Sequence, residues 1–498
     1  MFINSIFSIY ISEVKVENSY PSEHNFGKYY VYTDEITPFD FTSDSNRECV
    51  IFGYAVNVLT GEFEHLSQRI LDDSNDIQGV IDYERHLGGK YLILYTDSTG
   101  YYMLGDATCS IPIYYCVDPD SFVCASNPYD IIKRYDLIPD LRLQKIRDSG
   151  NISQAMPYDV TEYSEIKQLL PNHFLNFNKC ESNRFVNFSV KQDPMTVSDA
   201  TVLVAPMIQR IVDLYNRNFQ LHCPITSGRD SRVVLAYLSK ISDKKITSYT
   251  IKHKEHDDNT QDVKIPKQLT ESVSMDHFQI EDVEVAESDK LKVDMILGNN
   301  RYSPRTLMIA QTIKQHCQGG AVVNGDIIGQ VGKCSLHRDI REIFATPRYF
   351  RCKLHNYSSE SLAELKKWMQ EIKSSGEKIN LFDLFSVESR LGRWAGQENL
   401  IYNSIGQIYL NIFNSRSIIY IWSGVPRKLR KKSLLHINLI NEKEPALLNV
   451  PFETDESLCA RISKSTAMLY LLSSYMKHFM ERIRFYRRKK HEKTNNNC

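Results

Sequence analysis

The sequence lacks the features that would indicate a metal framework, an extracellular disulfide fold or a nucleic-acid partner. Its 11 cysteines are scattered singly, and neither a CxxC pair nor a His/Cys cluster has zinc spacing, so we expect neither a structural metal site nor a disulfide framework. This usage is typical of a reducing compartment. The formal net charge of −1 gives no general attraction to nucleic acid, so we expect no such partner.

Long apolar runs are missing as well. Since no uncharged apolar run approaches the roughly 20 residues that a membrane helix needs, we expect no membrane partner. The opening stretch "MFINSIFSIYISEV" has no leading positive charge and soon meets Glu13 and Lys15, which favours an opening strand over a signal peptide. These absences predict a soluble, cytoplasmic protein.

What the sequence does contain changes in character along the chain. The first third has β-branched and aromatic runs with short turns between them, which predicts antiparallel sheets packed face to face. These runs are 49–63, 88–106 and 111–126.

From about residue 199, helical and apolar segments alternate. An amphipathic helical pattern covers 200–219 and is followed by short apolar runs at 221–225, 245–251, 277–281 and 321–325. Such alternation predicts a doubly wound parallel α/β sheet, and the pattern beyond about 335 is mostly helical. Because 498 residues exceed one usual core, we predict an α+β sandwich domain at 1–190, an α/β domain at 199–485 and a basic, disordered tail at 486–498.

The most informative stretch is "TSGRDSR" (226–232), a turn of small hydroxylated residues between an apolar run and a helix. In doubly wound sheets ligands bind where strands end, and the helix N-terminus offers unpaired N–H groups to an anion. A phosphate or pyrophosphate would fit there, with a magnesium ion bridging it to Asp230. The alternative is a helix N-cap, in which Asp230 or Ser231 accepts a backbone N–H.

This turn resembles the pyrophosphate loop of ATP-pyrophosphatases, written Ser/Thr-Gly-Gly-x-Asp-Ser, and most closely its version in asparagine synthetase-like amidotransferases. The resemblance covers nearly the whole chain. It includes "DVKIPKQL" (262–269), the second glycine-rich segment "VVNGDIIGQVGK" (322–333), and the C-terminal stretches "ESRLGRWAGQEN" (388–399), "FNSRSIIYIWSGVPRKLR" (413–430) and "EPALLNVPF" (444–452).

The N-terminal third is similar to the class II glutaminase domain, an antiparallel sandwich. The similar stretches are "GGKYLILYTD", "MLGDATCSIPIYY" and "CASNPYDIIK". That domain uses an N-terminal cysteine as its nucleophile. Here the second residue is Phe2 and the first cysteine is Cys49, within a predicted strand. We therefore expect a glutaminase-like fold without glutaminase activity.

The resemblance also implies a set of site residues. Asp230 and Asp326 would hold magnesium, and Asp230 and Lys431 would be catalytic. The ATP site would comprise Thr226, Ser227, Gly228, Arg229, Asp230, Ser231 and Gly325. Ser227 replaces the first glycine of the family loop, while Gly329 and Gln330 stand where the family has acids.

Each of these assignments has an alternative. Asp326 would equally suit the cap of the next helix, and the cationic run 427–432 that contains Lys431 would equally suit a solvated helix face. Arg390 and Trp394 would either line the substrate pocket or form a buried Arg–carboxylate pair with Trp in the core. Arg232 would point along its helix toward substrate.

The implied reaction is that of an ATP-dependent, AMP-forming amide ligase. A carboxylate of a small molecule, peptide or sugar acid is adenylated, and ammonia or an amine then displaces AMP. The alternative is a catalytically degenerate scaffold that acts through a partner. A homodimer is left open.

Overall fold

A computed structural model of the chain provides the structure. It describes residues 5–16, 20–117, 122–149, 156–185, 194–242, 246–253, 256–258, 260–298, 302–317, 319–334, 342–374, 380–452, 476 and 480.

The N-terminal region, residues 5–185, is built on two antiparallel sheets. Its strands are β1 Ile9–Ser12, β2 Ser22–Phe26, β3 Tyr29–Thr33, β4 Phe39–Ser43, β5 Glu48–Asn57, β6 Leu87–Asp97, β7 Gly100–Gly105, β8 Tyr114–Cys116, β9 Val123–Ala125, β10 Ile166–Gln168, β11 His173–Asn176 and β12 Glu181–Arg184. Its helices are α1 Leu66–Asp73, α2 Ile77–Glu84, α3 Pro128–Tyr135 and α4 Leu141–Ser149.

The two sheets pack face to face. Successive side chains of a strand point alternately into the core between the sheets and toward the outer face. One has the order β10-β8-β9-β1-β3-β2 and the other β12-β11-β7-β6-β5-β4. On β5, Val50 and Phe52 belong to the core between the sheets, whereas Cys49 and Ile51 pack with α1 and α2 on the outer face. This period of two is what a strand with both faces covered requires.

The C-terminal region, residues 194–452, alternates strands and helices before becoming mostly helical. Its strands are β13 Gln220–Pro224, β14 Thr247–Lys252, β15 His277–Glu281, β16 Gly320–Asn324 and β17 Ile408–Asn411. Its helices are α5 Val197–Asn218, α6 Asp230–Leu238, α7 Gln261–Ser272, α8 Glu287–Ile296, α9 Pro304–His316, α10 Pro347–Lys353, α11 Ser359–Ser374, α12 Leu381–Phe385, α13 Gly396–Ser404, α14 Arg416–Gly424, α15 Arg427–Lys431 and α16 Leu434–Lys443, with π-helical turns at Ile328–Gly332 and Ser386–Ala395 and 3₁₀ turns at Glu342–Phe344 and Pro445–Asn449.

All neighbouring strands of the C-terminal sheet run parallel, in the order β15-β14-β13-β16-β17. The chain builds β13, β14 and β15 toward one edge and then returns to add β16 and β17 on the other side. The direction therefore reverses between β13 and β16, and the carboxyl ends of these two strands form the crevice where such sheets bind ligands.

The predicted combination of antiparallel sheets followed by a parallel α/β sheet is confirmed. The prediction named no strand beyond about 335, where the pattern is mostly helical, and so did not include β17. The domain boundaries at 190 and 199 stay predictions, since 186–193 lie outside the described residues. The predicted tail at 486–498 lies outside them as well. Among the described residues, no helix combines the length and apolarity needed to cross a membrane.

The two regions share buried surfaces. One hydrophobic core joins Val56, Val58 and Ala107 to side chains of α5 and the parallel sheet. At the start of β6, the Gly89 N–H donates to the Asn414 carbonyl at 2.9 Å, and the Asn414 amide donates back to the Gly89 carbonyl at 2.6 Å. The N-terminal region is thus fixed next to the strand ends of the parallel sheet.

Candidate functional site

Two loops meet at the crevice between β13 and β16. The first is the turn 226–231, which leads from β13 into α6, and the second begins at Gly325 and Asp326 after β16. A Cβ atom on Gly325 would lie 3.0 Å from the Asp230 carbonyl oxygen, so a glycine allows the two loops to approach this closely. The structure thus brings together the predicted residues of both loops at one point.

Side chains of the turn hold it in shape. The Thr226 N–H donates to Ser231 Oγ at 3.2 Å, and the Gly228 N–H donates to Thr226 Oγ1 at 3.3 Å. Helix α6 begins at Asp230, and its N-cap residue Arg229 provides no side-chain cap. The N-cap position of α6 thus belongs to Arg229 rather than to Asp230 or Ser231.

Ser227, which replaces a family glycine, is buried and binds an acid that the sequence did not single out. Its N–H and its hydroxyl both donate to Asp262 Oδ1, at 2.9 Å and 2.6 Å. Asp262 lies in the first turn of α7. A carboxylate of the chain therefore already accepts from two donors of the turn.

Asp230 is the acidic residue of the turn 226–231. His436, which is buried on α16, lies with Nε2 2.8 Å from Asp230 Oδ1. Burial raises the pKa of the Asp230 carboxyl, but the His436 hydrogen bond and the charges of Lys333 and Arg229 outweigh it, so the pKa lies below its usual value. The side chain is 37% exposed, so the ionised carboxylate also reaches solvent.

The second turn leaves room for this carboxylate. A Cβ atom on Gly329 would lie 2.7 Å from Asp230 Oδ2. A glycine at 329 therefore leaves the space that the Asp230 carboxylate occupies.

Asp326 faces the same crevice, but its pKa is shifted in the opposite direction to that of Asp230. Burial and the charge of Asp230 raise its pKa to about 6, although the Tyr409 hydroxyl donates to it at 3.3 Å. Glu398 on α13 has its pKa raised to about 8 by burial and by Asp326. The helical stretch after β16 begins at Asp326 itself, and the choice between a metal ligand and a helix cap for Asp326 stays a prediction. These acids repel one another, and a cation would relieve that repulsion.

The donor set suits magnesium better than a transition metal. Among the described residues no group of three or more His, Cys, Asp or Glu side chains could hold a metal ion. Magnesium, however, is commonly held by one or two carboxylates together with substrate phosphates. Asp230 and Asp326 are two carboxylates at this crevice, and a cation between them would offset the repulsion between their charges.

The predicted cations occupy different environments. Lys431 is half-buried at the end of α15, next to the helix that carries His436, and its catalytic role stays a prediction. Arg430 is buried and pairs with Asp383 at 2.7 Å, so it forms part of the fold rather than a solvated face. Arg229 lies 4.5 Å over the Phe452 ring.

Arg232 does not point toward a substrate pocket. Its guanidinium is buried and donates to the Leu447, Val450 and Pro451 carbonyls at 3.1, 2.7 and 3.0 Å. Arg390 lies 4.8 Å over the Trp394 ring, and both side chains are half-buried. Burial lowers the pKa of the Arg390 guanidinium, although the charges of Glu398 and Asp326 act in the opposite direction. A role of the pair in a substrate pocket stays a prediction.

Cys49, the first cysteine of the sequence, lies within a strand as predicted. Cys49 is buried in β5, and burial raises the pKa of its thiol well above the usual range. The residues around Phe2 lie outside the described part of the chain. A buried neutral thiol cannot serve as an attacking thiolate.

No protein-family model and no curated protein matches the chain. Solved structures that resemble it include the NMN synthetase of Francisella tularensis, at 12% identity over 37% of this chain and 75% of that chain, with a TM-score of 0.20. An allosteric regulatory enzyme of purine biosynthesis aligns at 11% identity over 64% and 68% of the two chains, with a TM-score of 0.23. The glutamine phosphoribosylpyrophosphate amidotransferase of B. subtilis, complexed with ADP and GMP, aligns at 10% identity over 67% and 72%, with a TM-score of 0.22. At such scores these likenesses assign no function to this chain.

Proposed function

We propose that the chain is an asparagine synthetase-like, ATP-dependent amide ligase that forms AMP and pyrophosphate and has no glutaminase activity of its own. One observation carries this proposal: the 226–231 turn, the uncapped start of α6, Asp230 and Asp326 converge at the carboxyl ends of β13 and β16. That place in a doubly wound sheet is suited to a phosphorylated ligand.

The turn and the helix would bind the phosphates of ATP. The hydroxyls of Thr226 and Ser231, 3.1 Å apart, stand at the mouth of the turn. Arg229 and Lys333 lie close enough to Asp230 to lower its pKa, and they would also neutralise charge on a departing pyrophosphate. Positioning and charge neutralisation are the main catalytic tasks when phosphorus is transferred.

Asp230 and Asp326 would hold magnesium. A bound magnesium ion would offset negative charge on the ATP phosphates and on both carboxylates. Asp230 is ready for this role, because its lowered pKa keeps it ionised at neutral pH. Asp326 would lose its proton more readily beside a cation.

The reaction joins a carboxylate to an amine in two balanced steps. A carboxylate oxygen attacks the α-phosphorus of ATP, and pyrophosphate leaves. An amine nitrogen then attacks the acyl carbon, AMP leaves, and the amine proton passes to a base. The half-buried Arg390, near the crevice, would attract the substrate carboxylate by its charge.

A second candidate is a degenerate scaffold that binds ATP weakly and acts through a partner. The Asp262 carboxylate on Ser227 favours it, because an anion of the chain already occupies donors that a phosphate would use. ATP affinity separates the two candidates. Binding of ATP that depends on magnesium supports the ligase, and no binding at millimolar ATP supports the scaffold.

The experiment measures ATP binding and pyrophosphate release by the full chain with magnesium and a panel of carboxylates. Asp230→Asn keeps the size of the side chain and removes its charge, and we expect binding and release to fall by roughly tenfold or more. The matched control is Asp72→Asn on the surface of α1, where the exposed carboxylate accepts from Gln68 of the same helix. Equal activity of the wild type and Asp230→Asn would overturn the proposed site.

A further inference from the structure

Lys90, at the start of β6, is a buried lysine that the proposed chemistry does not use. It is only 1% exposed, and burial lowers the pKa of its amine to about 7. Its Nζ lies 4.5 Å over the Phe7 ring, which covers it on the side of the N-terminal region. Desolvating an amine costs free energy that an apolar side chain would not cost. Such a residue calls for a reason beyond packing.

Its hydrogen bonds all cross to the C-terminal region. Nζ donates to Asn399 Oδ1 at 2.8 Å, to Asn403 Oδ1 at 3.3 Å and to the Tyr409 carbonyl at 3.3 Å. An ammonium has three N–H groups, and three oxygens stand within reach of them. One side chain of β6 therefore fixes both α13 and β17.

These two elements form one wall of the candidate site. Glu398 precedes Asn399 on α13, and the side chain of Tyr409 donates to Asp326. Lys90 and Asp326 also line one cavity of about 30 Å³, whose lining includes the amides of Asn324, Asn399 and Asn411. Its volume has room for about two water molecules. Lys90 thus contacts β17, the strand that carries Tyr409, and the hydroxyl of Tyr409 donates to Asp326.

We propose that Lys90 is a positioning residue, through which the N-terminal region, without a nucleophile of its own, sets the geometry of the ligase site at Tyr409 and Asp326. This inference rests on the proposed function. It deepens that function, because it gives the glutaminase-like region a role in the synthetase reaction.

The test compares Lys90→Met, which keeps the length of the side chain and removes its donors, with the surface control Lys28→Met. Lys28 pairs with Glu13 at 2.6 Å and is 54% exposed. A calorimetric titration with ATP gives the affinity, and its stoichiometry gives the number of folded sites, so that the kcat of amide formation can be expressed per site. We expect Lys90→Met to keep ATP affinity within about twofold and to lose at least about tenfold in kcat, since misplacement by about 1 Å costs up to 100-fold.

A purely structural lysine would lower the yield of folded protein without changing the kcat per ATP site, and that result would overturn the proposal. Hydrogen exchange provides a readout that does not depend on activity. We expect amides of 396–411 to lose protection in Lys90→Met while those of α6 keep it. Unchanged protection of 396–411 would overturn the proposal even if the wild type proved inactive, whereas inactivity of the wild type alone would overturn only the proposed function.

Asn399→Ala serves if Lys90→Met does not fold. It removes the 2.8 Å acceptor and leaves the lysine in place, and we expect the same loss of protection at β17 with a smaller loss of kcat. Wild-type values for both quantities would count against the positioning role.

Discussion

At the residue scale, Asp262 determines how readily the 226–231 turn accepts an anion. Its carboxylate takes two hydrogen bonds from Ser227 and adds a negative charge beside the proposed phosphate site. The contact therefore supports the shape of the turn and opposes the binding of a triphosphate at the same time.

Replacing this charge separates the two effects. Asp262→Asn keeps an oxygen that Ser227 can donate to, and we expect it to bind ATP more tightly by roughly fivefold, which corresponds to about 1 kcal/mol of relieved repulsion. Calorimetric titration measures the change. Asp258→Asn, on the exposed partner of Lys252, is the control and should leave the affinity unaltered. Weaker ATP binding by Asp262→Asn would mean that support of the turn outweighs repulsion.

Glu371 on α11 ties the C-terminal region to β11 and β12. It lies 3.2 Å from His173 Nε2 and accepts from Arg184 Nε at 3.1 Å and from the Tyr158 hydroxyl. Burial raises the pKa of its carboxyl, but the His173 and Arg184 interactions and the Tyr158 hydrogen bond outweigh this and hold the pKa at about 2, against 4.5 in a free side chain.

The sign of the resulting pH dependence follows from that shift. Because the folded-state pKa lies below the unfolded one, the carboxylate stabilises the fold above about pH 4.5, and this contribution disappears as the pH falls toward 2. We expect Glu371→Gln to lower the free energy of unfolding at pH 7 by roughly 1–3 kcal/mol. Denaturant unfolding at several pH values should show the difference from wild type shrinking below pH 4.5. A difference that stays constant down to pH 3 would contradict the assigned cause.

At the element scale, the turn 328–332 after β16 has no room for a side chain at Gly329. A Cβ there would lie 2.7 Å from Asp230 Oδ2, so that the carboxylate would have to move. We expect Gly329→Ala to weaken magnesium-dependent ATP binding by several-fold, because the new methyl group would displace Asp230, the proposed magnesium ligand. Gly396→Ala is the matched control, since the nearest atom to its Cβ would be 3.7 Å away. Equal affinities of these two variants would remove Asp230 from the magnesium site.

The elements themselves were largely predictable because their signals are local. The run at 277–281 is β15 as observed, and the segment 226–231 leads from β13 into the first residues of α6, as its Ser, Gly and Asp composition indicates. β17 was missed because its short run lies among helices. The partners of the site were not predictable, since the contact of His436 with Asp230 spans 206 positions and that of Asp262 with Ser227 spans 35. No periodicity reports on such pairs.

At the scale of the whole molecule, buried charges bridge the two regions. Arg416 on α14 pairs with Glu84 on α2, with 3% and 0% of the two side chains exposed. Arg184 on β12 likewise pairs with Glu388, which also accepts from the Trp368 indole at 2.7 Å. Because a buried charge without its partner is costly, the regions stabilise each other.

This coupling predicts one cooperative unfolding transition for the full chain in scanning calorimetry. Arg416→Met leaves Glu84 without its cation, and we expect a cost of roughly 3–5 kcal/mol, seen as a lower temperature of that single transition. The control is Arg69→Met, whose partner Glu62 is solvated. Two separate transitions in the wild type, with only one shifted in Arg416→Met, would show that the regions unfold independently.

The crossing pairs Glu84–Arg416 and Lys90–Asn399 also restrict how such a gene can be recombined. A crossover near residue 190 would combine one member of each pair with an unmatched partner from another gene. A charged side chain would then be buried in the chimaera without its partner. Only donors that carry matching partners on both sides would yield a folded product. The two segments are therefore expected to be inherited as one unit.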